Sequence, residues 1–127
     1  MNKTILITGA SLALLSVVLG AFGAHGLEKL VDSENINSFE TGVRYQMYHA
    51  IVFLILGNMT TLSQISKKRI FYLFLIGVIL FSGSIYLLVL DEVFGISLSS
   101  IGFITPLGGL MLIFGWILFI ISLSKIK

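Results

Sequence analysis

The sequence predicts an all-α integral membrane protein, a four-helix bundle of transmembrane spans with both termini cytoplasmic. Three observations predict it. Four long apolar stretches, roughly Thr4 to Ala24, Val43 to Leu62, Ile70 to Leu90 and Thr105 to Ser124, fill most of the 127 residues. Each approaches the ~20 residues that a helix needs to cross about 30 Å of hydrocarbon. The charges fall almost entirely in the three breaks between them. A composition of 57% hydrophobic against 11% charged residues, with a mean hydropathy of +1.06, leaves too few polar positions to cover a soluble domain of this size.

The breaks also set the orientation. Lys3 precedes the first stretch, Lys67, Lys68 and Arg69 fill the second break, and Lys125 and Lys127 close the chain. The first break carries Glu28, Asp32, Glu34 and Glu40 against Lys29, with Arg44 just past its end, and the third carries Asp91 and Glu92. Basic segments resist translocation, so the termini and the middle break are expected in the cytoplasm and the acidic breaks outside. Met1 to Lys3, the apolar run and the small residues near Ala21-Phe22-Gly23 have the outline of a signal peptide. The run is longer than a usual signal core, and an uncleaved first span is the expectation.

A net charge of +2 and a pI near 9.0 do not imply a nucleic-acid partner, because the bases are few and sit at membrane boundaries. The chain has no cysteine, which removes disulfides, thiolate metal ligands and thiol catalysis. One domain spanning residues 1–127 is expected, without repeats.

In the first span Gly9, Ala13, Ser16, Gly20 and Ala24 recur every three or four positions. Such a stripe lets another backbone approach closely. In the second, Ile36, Phe39, Val43 and Met47 follow helical spacing, so the helix is expected to start near Ser33, with Ser33 as its N-cap. Glu40 and Arg44, four apart with the acid first, suit a weak surface pair. The third span holds Ser82-Gly83-Ser84 at its centre and Tyr86 a turn later. Serine hydroxyls there bond either back along their own helix or across to another. Thr105-Pro106 reads as an N-cap and first helical residue, opening a fourth span in which Gly108, Gly109 and Gly115 favour close packing.

His25 ends the first span and His49 lies within the second. Antiparallel spans would place both in the outer half of the membrane, with Tyr45, Gln46 and His49 on one face of the second helix and Arg44 and Tyr48 on a neighbouring row. Strongly polar groups at such depth are costly unless they face the helix interior or a water-filled pocket. Two explanations compete: an outward-facing polar pocket with Arg44 as its fixed charge, or interfacial anchoring and helix-to-helix hydrogen bonding. Two histidines without a placed carboxylate or thiolate fall short of a zinc site, and nothing in their spacing marks haem ligation, so neither metal nor cofactor is expected. No carboxylate lies in the middle of a span, which disfavours a carboxylate-driven proton-coupled transporter. No phosphate loop, nucleophile elbow or HExxH motif occurs, so no enzymatic activity is expected.

Gly20-Ala21-Phe22-Gly23-Ala24-His25-Gly26-Leu27 and Phe39-Glu40-Thr41-Gly42-Val43-Arg44-Tyr45-Gln46-Met47-Tyr48-His49-Ala50 resemble the two leading signatures of a small membrane-protein family, domain of unknown function 423. Phe81-Ser82-Gly83-Ser84-Ile85-Tyr86, Ile104-Thr105-Pro106-Leu107-Gly108-Gly109 and Gly115-Trp116 resemble the remaining ones. The resemblance implies a multi-pass protein, in bacteria one of the inner or plasma membrane, with no agreed activity. It implies that His25, Tyr45, Gln46, Tyr48 and His49 belong to the family pattern, with Arg44 at a variable position. If the bundle is compact, His25, Arg44, Tyr45, Gln46, Tyr48, His49, Ser82, Tyr86 and Thr105 meet in one outer layer, the candidate polar pocket. The expected function is non-enzymatic: packing among membrane lipids with copies of itself as a homo-oligomer, or with a larger membrane-protein partner. The alternative is an oligomeric transporter or channel for a small solute or ion.

Overall fold

The computed structural model describes residues 1–127 and holds four α-helices: α1 (Asn2–His25), α2 (Ser33–Asn58), α3 (Gln64–Phe94) and α4 (Ile104–Ser124). Single 3-10 turns stand at Leu27–Lys29 and Ser99–Ile101. Three segments are long and apolar enough to cross a membrane: Asn2–Lys29, Gln64–Phe94 and Ser99–Ser124. α2 is not among them, which narrows the expectation of four such spans. Its first half carries Glu34, Asn35, Asn37, Glu40 and Arg44, and it runs without a polar side chain only from Ala50 to Gly57.

The helix ends show why the breaks are shorter than hydropathy implies. α2 is capped by Asp32 instead of Ser33: Asp32 Oδ1 accepts from the Asn35 backbone N–H at 2.9 Å. α3 begins at Gln64 behind the Ser63 cap, so Lys67, Lys68 and Arg69 occupy its first turns and only Met59–Ser63 remains as a connection. It runs on past Asp91 and Glu92 to Gly95, whose φ of 65° is the left-handed turn that closes many helices. α4 begins at Ile104, earlier than the expected Thr105 cap, so the cap position falls on Phe103, which has no side-chain acceptor; Thr105 lies inside the helix and pairs with Ser84 Oγ at 2.5 Å. Pro106 still falls in the first helical turn, where a missing N–H costs nothing.

Consecutive helices are antiparallel and pack extensively in chain order, α1 on α2, α2 on α3 and α3 on α4. Both termini and the Met59–Ser63 connection therefore share one end of the molecule. That end carries Lys3, Lys67, Lys68, Arg69, Lys125 and Lys127, and all six acidic residues lie toward the other. Lys67 is buried among the helices, its Nζ donating to Asn2 Oδ1 at 3.3 Å. All four helices feed one apolar core, including Ile5 from α1, Phe53 from α2, Phe71 and Phe74 from α3 and Phe119 from α4. A smaller cluster of Leu27, Phe39 and Val89 closes the acidic end.

Between helices in lipid, close packing and hydrogen bonds replace the drive to leave water. On α1 the face against α2 is made by Gly9, Ser16 and Gly23, all buried. This shifts the expected stripe: Ala24 is exposed, Ala13 half-buried, and a Cβ added at Gly20 would find Val43 at an ordinary 3.6 Å. Seven-residue spacing keeps Gly9, Ser16 and Gly23 on one line, whereas Gly20 to Ala24 drifts round the helix. On α4, Gly108 and Gly115 are buried in close contact with α3, while Gly109 has only Phe81 at 3.8 Å. Gly83 faces open space and packs against nothing.

Candidate functional site

α2 lies between α1 and α3, and Gly42, Gln46, His49 and Phe53 form its buried face at helical spacing. The polar members of that face each find a partner on another helix. Gln46 Nε2 donates to the Leu12 carbonyl of α1 at 3.0 Å, and Gln46 Oε1 accepts from Tyr86 OH of α3 at 2.7 Å. One amide thus ties three helices together. One turn earlier, Ser82 Oγ donates to the Gly42 carbonyl at 2.7 Å. The serine takes the cross-helix option; Ser16 and Ser122 instead bond back to Leu12 and Leu118 within their own helices.

The state of His49 follows from its partners. Trp116 Nε1–H of α4 reaches His49 Nε2 at 3.1 Å, and an indole N–H can only donate. His49 Nε2 is therefore the acceptor, the proton sits on Nδ1, and Nδ1–H donates to the Tyr45 carbonyl at 2.7 Å. Both ring nitrogens are committed, and the ring lies edge-on to Phe74. Every buried side-chain nitrogen and oxygen in the protein has a hydrogen-bond partner.

The remaining candidates stand apart from this network to different degrees. Tyr45 leans on Phe81 and Tyr48 on Tyr45, both at the edge with half their surface exposed. Arg44 is 54% exposed, 4.0 Å from Glu40 and within 3.2 Å of Thr41 Oγ1, a pair of the surface kind that contributes ~0.3–0.5 kcal/mol. Thr105 pairs with Ser84. His25 is exposed and distant. Gly9 of α1 lies against Ala50 and Gly23 against Phe39, so His49 stands near the height of Gly9–Leu12, about 20 Å of helix from His25. The expected single layer divides into three buried interhelix contacts, Gln46 with Tyr86, Ser82 with the Gly42 carbonyl and His49 with Trp116, and scattered residues nearer the acidic end.

Beside His49 a groove of about 270 Å³ runs between α2 and α4, walled by Tyr45, Phe81, Leu112 and Trp116. With both His49 nitrogens engaged, the groove meets no free lone pair or proton on that ring. No three His, Cys, Asp or Glu side chains converge where a metal could sit. Sequence reasoning had missed Trp116 and the Leu12 carbonyl. A tryptophan near the middle of an apolar span was the available signal, because its N–H needs an acceptor there and few exist.

Four antiparallel helices, three of them apolar enough to span, with interior polar groups spent on one another, define a small all-helical membrane protein. The chain belongs to the family described as "Protein of unknown function (DUF423)", whose model matches residues 19–109. It is 40% identical to "UPF0382 membrane protein SH2409" of Staphylococcus haemolyticus (strain JCSC1435), over 97% of each chain. It is 42% identical to "UPF0382 membrane protein YwdK" of Bacillus subtilis (strain 168), over 97% of this chain and 98% of the relative. No solved structure matches it.

Proposed function

We propose that this chain is a non-enzymatic, multi-pass packing or partner protein of the cell membrane, with α2 as a fourth span and the basic end cytoplasmic. The observation that carries this reading is the closure of the polar contacts: Gln46 pairs with Tyr86 and the Leu12 carbonyl, His49 with Trp116 and the Tyr45 carbonyl, and nothing buried is left unpaired. A transport path needs polar groups free to exchange partners with a solute; these are committed to holding helices. α2 is antiparallel to and packed on both α1 and α3 for most of its length, which supports placing it at the same depth. Its polar side chains are tolerable in lipid because the deep ones, Gln46 and His49, point inward. The clustering of bases at the end that holds both termini supports the orientation. The outward apolar faces of α1 and α4, with Leu14, Val17, Ile113 and Ile120 exposed, are available to lipid, to a second copy or to a larger partner.

Trp116 is the only tryptophan, so its fluorescence reports on the network directly. In reconstituted vesicles, lipids brominated in the acyl chain are expected to quench it strongly, and aqueous iodide or acrylamide hardly at all. Strong quenching from water would mean that the groove beside His49 is wet, and would turn the assignment to the alternative, an oligomeric transporter or channel.

A further inference from the structure

We propose that the basic end carries a site for the phosphate of an anionic lipid headgroup, between the start of α3 and the end of α4. This rests on the membrane placement argued above. A cavity of about 320 Å³ opens there. Its polar side is formed by Arg69, Lys125 and the hydroxyl-bearing Thr61, Ser63 and Ser66. Its other wall is apolar, made by Leu118 and Ile121.

Three facts point to an anion supplied from outside the protein. The single ion pair in the molecule is Glu40–Arg44, so Arg69 and Lys125 have no carboxylate partner, and neither side chain makes a hydrogen bond to protein. Every Asp and Glu lies toward the opposite end, so no acidic side chain can swing in to neutralise them. The two cations come from different helices and face one cavity, an arrangement that suits a shared ligand better than separate solvation. A guanidinium offers a planar fork to phosphate oxygens and an ammonium a mobile point charge, with the Thr61 and Ser66 hydroxyls as further donors; that of Ser63 is spent on Ser66 Oγ. Inorganic phosphate shares this chemistry. The apolar wall favours the lipid source, because a phospholipid presents phosphate, glycerol and acyl chain in that order across a polar-to-apolar boundary. Basic pockets between membrane helices on the cytoplasmic side select anionic headgroups on these grounds. Lys67 takes no part, since its ammonium is turned to Asn2.

The test uses the full-length chain in nanodiscs of equal phosphatidylglycerol and phosphatidylcholine, released gently for native mass spectrometry. Phosphatidylglycerol is expected to be retained over phosphatidylcholine by roughly 25-fold, with each basic residue contributing about fivefold. The double variant Arg69→Gln/Lys125→Gln should bring the ratio close to one, while Lys3→Gln, a base outside the cavity, should leave it high. Inorganic phosphate titrated onto detergent-solubilised protein separates the sources: binding that needs Arg69 and Lys125, without any lipid preference, assigns the site to free phosphate. Equal retention of both lipids with no phosphate binding overturns the proposal, as does a double variant that keeps the full lipid preference. Failure of the membrane placement itself would show differently, as protein that does not insert into the nanodiscs.

Discussion

α3 meets α2 along one side and α4 along the other, and the two seams are held by different means. Against α4 the contact is steric. A Cβ at Gly108 would stand 2.3 Å from the Phe81 backbone nitrogen, and at Gly77 and Gly115 it would stand 2.7 Å from the side chains of Leu112 and Phe74. One hydrogen bond, Ser84 to Thr105, joins the two helices. Against α2 polar contacts dominate, with Ser82 on the Gly42 carbonyl, Tyr86 on Gln46 and Asn35 on Glu92, beside one close glycine, Gly42, whose added Cβ would meet the Tyr86 ring at 3.0 Å. A steric seam rewards closeness at many points and punishes any added atom. A polar seam fixes register at a few points and punishes a lost partner. In lipid, where an apolar face has no reason to prefer protein over acyl chains, the two methods are complementary.

The largest effect that could break this contrast is expected at Gly108. Gly108→Ala drives a methyl into the backbone of α3, which cannot yield as a side chain could, and is expected to cost about 3 kcal/mol. Gly109→Ala, one residue on, meets nothing nearer than 3.8 Å and should cost well under about 1 kcal/mol. Denaturation in mixed micelles, followed through Trp116, compares the pair; equal losses would mean that the α3–α4 seam is not set by backbone approach.

Next comes Gln46→Leu. It strips the acceptor from Tyr86 OH and a donor from the Leu12 carbonyl, and is expected to cost about 1–2 kcal/mol. Adding Tyr86→Phe should recover part of that loss, since a pair removed together leaves no orphaned hydroxyl. A double-mutant cycle with no coupling would remove Gln46 from the polar seam. The smallest effect belongs to Ser82→Ala. The Gly42 carbonyl is in mid-helix and keeps the helix's own bond, so the loss should be about 0.6 kcal/mol by the same measurement.

How much of this was legible in the sequence depends on what each feature needed. The four helices and the α4 glycines Gly108 and Gly115 followed from local hydropathy and residue size. The steric glycines Gly42, Gly57 and Gly77 were invisible, because nothing in their own surroundings says that Ile85, Leu6 or Leu112 will press on them. α3 runs from Gln64 to Phe94, beyond the apolar stretch Ile70 to Leu90 at both ends, because hydropathy reports depth in a membrane, while a helix continues until its backbone bonds end. Gln46 and His49 were recognisable as unusual, but not their partners: Trp116 is 67 residues from His49, and the Leu12 carbonyl carries no sequence signal at all. His25 and His49 are expected in one layer because antiparallel spans place both in the outer half of the membrane. The register of α1 against α2, set by Gly9 on Ala50 and Gly23 on Phe39, separates them.

The chain-order packing has a consequence for biogenesis. Each helix after the first packs on the one synthesised just before it, across connections as short as Met59–Ser63, so little chain entropy is lost at each docking step. Helical hairpins can zip up one after another as they leave the ribosome. Trp116 joins last. Its hydrogen bond to His49 reaches past α3 to a helix already in place, and so acts as a latch that only a finished chain can close.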